Sequence, residues 1–261
     1  MTPYDPILAA YLENAPLCRA LIRSREARLL SELDLPAPVL DIGYGDGVFA
    51  DVLQRLGKAP TVGIDIDLRM LARVPPLARS RRLVADASGL PFRDRSFASS
   101  FSNCVFEHLL DPPAVFREVA RVLRPGGIFA ITVVTDRYCP ALFWTRAFRA
   151  VGLTPLGRWY DAFVTRLFHH HQYWNEARWI EVARGAGFEI ERSEPYVSPR
   201  RQAMMDLLFP GGVLSHVERA LTGRYAVFAK KWPERFLAWV DDPTEESTKG
   251  VNALLIFRRF S

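Results

Sequence analysis

Apolar positions along this chain switch repeatedly between the 3.6-residue period of a helix and the short β-branched runs of a buried strand. Leu17, Leu21, Ile22, Leu29, Leu30 and Leu33 recur at helical spacing, and Pro36 and Pro38 stop that helix. Val39, Leu40 and Ile42 read as a first strand, followed by a helix carrying Phe49, Val52, Leu53 and Leu56, with Asp46 as its expected N-cap. The pattern then repeats. Thr61–Asp65 predicts a second strand, Leu68–Val74 a helix closed by Pro75-Pro76, and Leu83–Asp86 a third strand. Ser96–Ser102 is a fourth, diluted by serines. Asp111-Pro112-Pro113 opens a helix whose Val115, Phe116, Val119, Val122 and Leu123 face inward, with Pro125-Gly126-Gly127 as its stop. Ile128–Val134 and Phe188–Arg192 follow as strands five and six, and Asn252–Phe257 is the best candidate for a seventh. Strands and helices alternating at this spacing predict an α/β fold, a doubly wound parallel sheet covered on both faces.

The chemistry gathers at the strand ends. Gly43, Gly45 and Gly47 fall in the turn between the first strand and the next helix, where glycine permits positive φ and lets a ligand approach backbone N–H groups. The spacing is G-x-G-x-G, which differs from the G-x-G-x-x-G dinucleotide fingerprint and argues against a nicotinamide dehydrogenase. Asp65 ends the second strand 18 residues after Gly47, near the interval at which an acid reaches a nucleotide ribose, and its two oxygens can accept from both hydroxyls. Asp86 ends the third strand and could accept from an exocyclic adenine amine. In open α/β sheets ligands bind outside these carboxyl ends.

With these motifs in order, the chain resembles the class I S-adenosylmethionine-dependent methyltransferases, in particular their small-molecule, type 11-like group. The residues that carry the resemblance are Val39-Leu-Asp-Ile-Gly-Tyr-Gly-Asp-Gly47, Val62-Gly-Ile-Asp65, Val84-Ala-Asp86-Ala87, Phe106-Glu-His108 and Leu123-Arg-Pro-Gly-Gly127. The resemblance implies a Rossmann-like seven-stranded sheet with an antiparallel last strand, and S-adenosylmethionine as cofactor. It implies that Asp41 and the backbone near Gly43 and Gly45 hold the methionine moiety, that Asp65 holds the ribose and Ile66 packs on adenine, that Asp86 and Ala87 read the adenine, and that Asn103 lies beside the methyl donor. Tyr44 departs from the small residue usual at its position; it either covers the cofactor or fills space. Ala98 stands where an acid is common.

Five segments are expected: a helical leader or lid over 1–35, the cofactor-binding Rossmann core over 36–134, substrate-side helices and the sixth strand over 135–195, a helical cap inserted over 196–250, and the last strand over 251–261. The cap contains Met204, Met205, Leu207, Leu208, Phe209, Val213, Leu214 and Val217, then Lys230-Lys231-Trp232, Phe236 and Trp239. It reads as an apolar lid, as a membrane-surface or homodimer contact, or as ordinary packing on the core. Bulky residues between Tyr138 and Trp179 favour a small apolar or lipid-like acceptor, with the accepting O, N or C atom undecided.

Histidines supply the catalytic candidates. His108 follows the fourth strand at the cleft edge, and His171 stands in the run His169-His170-His171, beside Gln172 and Tyr173. Either could be a general base or simply a solvated residue. Consecutive side chains on a helix point about 100° apart, so the run does not make a facial metal site, and no metal is expected. Two other readings stay open: a protein of the same fold using the cofactor for chemistry other than methylation, and a catalytically silent cofactor-binding partner protein.

Composition narrows the setting. At 261 residues, 49% of them hydrophobic, the chain can bury one core with an elaboration. A net charge of +5 is spread over arginines; of the 34 basic residues only Lys58, Lys230, Lys231 and Lys249 are lysines. With Arg79, Arg81 and Arg82 as the densest cluster, the pattern reads as a solvated surface, and no nucleic-acid partner is expected. Cys18, Cys104 and Cys139 are odd in number and unpaired in spacing, against a disulfide framework. Without an apolar leader or a long apolar run, the protein is expected to be cytoplasmic.

Overall fold

A computed structural model of the chain describes residues 4–73, 80–222, 232–240 and 250–260, with residues 213–222 described by backbone alone. The expected Pro75-Pro76 stop, Arg79 and Lys230-Lys231 lie outside the described residues, as do the side chains of Val213, Leu214 and Val217.

Seven strands form one sheet: β1 (Val39–Ile42), β2 (Val62–Asp65), β3 (Arg81–Val84), β4 (Phe97–Asn103), β5 (Leu123–Val134), β6 (Phe188–Tyr196) and β7 (Asn252–Arg259), in the order β3-β2-β1-β4-β5-β7-β6. The strands from β3 to β5 pair in parallel, and β7 runs antiparallel to β5 with Phe129 opposite Phe257. β1 is an inner strand, Leu40 being opposite both Val62 and Ser100, and all four of its residues are buried. The chain leaves β1 towards β2 on one side and returns to β4 on the other. That reversal opens a crevice at the carboxyl end of β1.

The serines of β4 satisfy polar demands inside the sheet. Ser100 and Ser102 Oγ donate to the carbonyls of Leu40 and Ile42, each at 2.9 Å, and Ser99 donates to Pro36 at 2.7 Å. Their hydroxyls therefore cost little to bury. One face of the sheet holds an aromatic core of Phe106, Phe116, Phe129, Trp179, Phe188 and Phe257, all at most 1% exposed. It is covered by α5 (Pro112–Val122) and α9 (Glu176–Gly185). On the opposite face Phe49 of α3 (Val48–Arg55) packs on Phe101, ring centroids 6.3 Å apart.

Several boundaries moved, and the helix after β2 is the short α4 (Leu68–Leu71), capped by Asp67 through Arg69 N at 2.8 Å. The leader forms two helices, α1 (Pro6–Leu12) and α2 (Leu17–Ser31), because Asp5 caps the first through Ile7 N at 2.8 Å. The third strand ends at Val84, which leaves Asp86 in the following turn. α5 stops at Val122, and Pro125-Gly126-Gly127 lie within β5 next to a register irregularity; a Cβ on Gly127 would sit 2.8 Å from the Arg124 carbonyl and 3.0 Å from that of Ala98. β6 continues to Tyr196, four residues past its expected end.

Backbone contacts gather the chain into two compact units. The sheet unit comprises residues 29–136, 169–194 and 252–261. The second comprises 1–28, 137–168 and 195–251, and is helical: α6 (Tyr138–Ala141), α7 (Phe143–Ala150), α8 (Thr154–Leu167), α10 (Pro199–Thr222) and α11 (Glu234–Val240) join α1 and the body of α2. Buried polar pairs lock that unit. Glu26, fully buried, accepts from Tyr196 Oη at 3.0 Å, and Asp206 accepts from Trp144 N at 3.1 Å and from the Tyr160 hydroxyl. Among the described residues no helix is long and apolar enough to cross a membrane.

Candidate cofactor site at the carboxyl ends of β1, β2 and β4

The turn after β1 holds Gly43, Gly45 and Gly47 at φ +81°, +59° and +71°, a left-handed backbone that favours glycine. Two of these glycines serve different ends. A Cβ on Gly43 would lie 2.2 Å from Val105 Cγ2, so its bareness admits a protein side chain. Gly45 faces open space instead, its nearest prospective neighbour being a backbone oxygen at 4.0 Å. That is the position where a ligand can come against the main chain.

The loop amides turn inward, contrary to the expectation that they face a ligand. Gly43 and Tyr44 N–H both donate to the Ile64 carbonyl, at 2.9 and 2.8 Å, and Gly47 N–H donates to Tyr44 at 3.2 Å. Gly45 N–H donates to Asp65 Oδ2 at 2.7 Å. The other oxygen of Asp65 accepts from Asp67 N at 2.9 Å, so the acid that ends β2 braces the glycine loop and the next turn together. Each carboxylate oxygen has a second lone pair, which leaves capacity for ligand hydroxyls. α3 starts one residue later than expected: Gly47 is the N-cap residue, while Asp46 Oδ1 accepts from Val48 N at 3.3 Å.

Tyr44 fills space. It is 3% exposed, and a Cβ on Gly63 of β2 would sit 1.9 Å from its Cδ2, so the ring lies directly against the glycine. A bulky residue in the loop is accommodated by a missing side chain in the neighbouring strand. Gly63 was passed over in the sequence because nothing local distinguishes it from any strand glycine.

Asp41, in β1 beneath the loop, is 3% exposed. Loss of hydration holds its carboxyl well above the ordinary carboxylate value, and the negative charge of Asp65 adds to the effect. Ile66, next to Asp65, is 71% exposed, an unusual setting for a large apolar side chain. Asp86 is exposed and accepts from Ser88 N at 2.8 Å and Ser88 Oγ at 2.7 Å, which keep its carboxyl below the usual value. Ala87 is half-buried against the core. The segment beyond is pinned to α5: Leu90 N donates to Glu118 at 2.8 Å, and Arg121 donates to the Leu90 and Phe92 carbonyls at 2.9 and 2.8 Å. Asn103, last in β4, accepts from Thr132 Oγ1 at 2.8 Å.

The histidines separate. His171 is exposed, and its N–H donates to the Glu107 carbonyl at 2.8 Å. His170 is 9% exposed and packs on His108, ring centroids 4.8 Å apart, beside the buried Glu107. The run is not helical, since α8 ends at Leu167 and His169 has φ +54°. The pairing of His170 with His108 and Glu107 was not legible, because 62 and 63 residues separate them and no spacing rule links them.

The strand order, the antiparallel β7 and an acid closing the glycine loop from the end of β2 define the Rossmann-like fold of the class I methyltransferases. Residues 40–131 match the family model described as "Methyltransferase domain". The chain is 34% identical over 122 residues to a malonyl-[acyl-carrier protein] O-methyltransferase of Marinomonas sp. (strain MWYL1), covering 44% of this chain and 45% of that protein. It thus spans less than half the length of that relative. Among solved structures it is similar to a S-adenosylmethionine-dependent methyltransferase of Thermotoga maritima, with TM-score 0.58, 17% identity and coverage of 93% and 91% of the two chains. It is also similar to the [4+2]-cyclase SpnF, with TM-score 0.57, 23% identity and coverage of 90% and 81%.

Proposed function

We propose that this chain is a S-adenosylmethionine-dependent methyltransferase that acts on an O, N or C atom of a small, apolar acceptor. The observation that carries the reading is Asp65: it locks Gly45 from below while Ile66 beside it stands exposed, so a carboxylate and an apolar platform adjoin a bare stretch of backbone. An adenosine with a thioether-like tail fits that donor set, and no phosphate is called for, since the loop amides are already engaged.

In this reading Asp65 accepts from the ribose hydroxyls, Ile66 and Ala87 pack on adenine, Asp86 accepts from its amine, and Asp41 with the backbone at Gly43 and Gly45 receives the methionine end. Tyr44 supports the loop from behind, and Gly47 starts α3. Asn103, oriented by Thr132, borders the methyl position. When bound, S-adenosylmethionine supplies an electrophilic methyl group whose leaving thioether is neutral. The protein therefore needs no covalent intermediate, and alignment of acceptor and donor is its main contribution. Neither His108 nor His171 is required as a base unless the acceptor must lose a proton. The apolar acceptor follows from the run of bulky residues in the sequence between Tyr138 and Trp179.

Calorimetry with S-adenosylhomocysteine tests the assignment. Binding should weaken at least tenfold in Asp65→Ala, and unchanged binding would overturn it. Transfer of label from the cofactor to an extract separates a methyltransferase from a silent binder or from a protein that uses the cofactor otherwise.

A further inference from the structure

We propose that Glu107, His108 and His170 form a binding site for one divalent transition-metal cation of the zinc class, a site the cofactor reading does not require. Glu107 and His108 lie on the single 3-10 turn Phe106–His108 that follows β4, and His170 arrives from the chain segment between α8 and α9. One ligand atom from each of the three lies within 4.8 Å of the other two. Glu107 is 1% exposed and His170 9%, whereas His108 is half-buried, so the cluster is built into the sheet unit with one side towards solvent.

The site is assembled by the main chain. His171 and Gln172 N–H both donate to the Glu107 carbonyl, at 2.8 and 3.0 Å, which stitches the histidine segment to the 3-10 turn. Each imidazole is also held through Nδ1. His108 Nδ1 donates to the His169 carbonyl at 3.2 Å, and His170 Nδ1 sits 2.9 Å from Tyr173 Oη. The carbonyl acceptor places the proton of His108 on Nδ1 and leaves Nε2 as its lone-pair nitrogen, the arrangement that outer-sphere partners impose on metal-ligating histidines, and the Tyr173 hydroxyl is able to accept from His170 in the same way. Two imidazoles and one carboxylate are a donor set for zinc or cobalt, and too nitrogen-rich for magnesium or calcium. Ligands at about 2.1 Å in a tetrahedral site lie about 3.4 Å apart, so shifts of about 1 Å in these side chains would close the cluster around an ion. Three protein ligands leave a coordination position for water or an acceptor oxygen on the half-exposed side.

The expectation against a metal came from three consecutive histidines on one helix. That geometry does not arise. Only His170 of the run enters the cluster, and its partners come from a different strand end.

The test uses the full chain stripped with a chelator and then titrated with Zn²⁺ by calorimetry and with Co²⁺ by visible absorption. One ion per chain is expected, with the ligand-field bands of a four- or five-coordinate cobalt. His170→Ala and Glu107→Gln should each weaken Zn²⁺ binding at least tenfold, as loss of a ligand does, while His171→Ala binds like the parent. Circular dichroism screens the variants, and Glu107→Gln, nearly isosteric, serves if His170→Ala does not fold. Zn²⁺ binding that is unchanged in both ligand variants, lost equally in His171→Ala, or absent in the parent overturns the proposal. S-adenosylhomocysteine binding by the stripped protein keeps this outcome separate from that of the cofactor assignment.

Discussion

Replacing Gly63 by alanine should damage this protein far more than a strand glycine normally would, and the damage should depend on Tyr44. The added Cβ would stand 1.9 Å from Tyr44 Cδ2 and 2.6 Å from both Cε2 and Cγ, distances that no non-bonded contact tolerates. β2 cannot retreat, because Gly63 pairs with Asp41 on one side and Arg82 on the other. The ring, 3% exposed, has to leave its site. Overpacking of this kind costs about 1–3 kcal/mol, and turning an aromatic side chain out to water adds about 1.5–3 kcal/mol. A total of about 2.5–6 kcal/mol would remove a large part of a domain's usual ~5–15 kcal/mol. Tyr44→Ala alone should cost about 3–5 kcal/mol through the cavity it leaves. In the double variant the alanine methyl occupies part of that cavity, so the two losses should fall short of their sum by about 2 kcal/mol. Urea unfolding at constant m-value measures all three. Strict additivity would refute the placement of Tyr44 on Gly63. Because the same ring supports the glycine loop, Gly63→Ala should also weaken S-adenosylhomocysteine binding.

Asp41→Asn should be more stable than the parent at neutral pH. Burial raises the Asp41 pKa in the folded state above its ordinary value, so the folded protein holds that proton more tightly than the unfolded chain. The group's contribution is therefore intact below the ordinary carboxylate range and lost as pH rises through the raised value; Tm measured against pH should show the variant's advantage shrinking on acidification, and a pH-independent gain would contradict this. Asp65→Asn should bind S-adenosylhomocysteine more tightly than Asp65→Ala, since the amide oxygen can still accept from Gly45 N–H; equal affinities would deny Asp65 its part in bracing the loop. Of the three cysteines, Cys18 should be alkylated slowest in the folded protein, because burial pushes its thiol up to about 11, and mass spectrometry of timed quenches reads the order. Gly212→Ala should destabilise despite alanine's better helix propensity, since the new Cβ would lie 2.5 Å from Cys18 Sγ; a higher Tm would refute that contact.

The sheet was legible because inner parallel strands buried on both faces are forced into short apolar runs, and because α5 carries its own cap. Asp111 with Pro112 opens α5 as expected, Asp111 accepting from Ala114 N at 3.0 Å. The glycine loop and the acids at Asp65 and Asp86 were legible for the same reason: they sit at fixed offsets from strand ends, and offset is a one-dimensional quantity. β4 read weakly because its serines look polar until the carbonyls of β1 that they bond are known.

What the tertiary structure alone decided are relations between residues that no spacing connects. The period of the apolar pattern and the order of the motifs determined an α/β sheet and placed the residues proposed for the cofactor at the carboxyl ends of the strands. Packing decided that Tyr44 lies on Gly63, that the loop amides turn inward to Ile64 and Asp65, and that His170 rather than His171 joins His108 and Glu107. Local sequence sets hydrogen-bonding and rotamer preferences within a few residues, whereas contacts across the sheet unit are set by which faces are buried together. The glycine loop belongs to the first kind of information, and the fit of its tyrosine to the second.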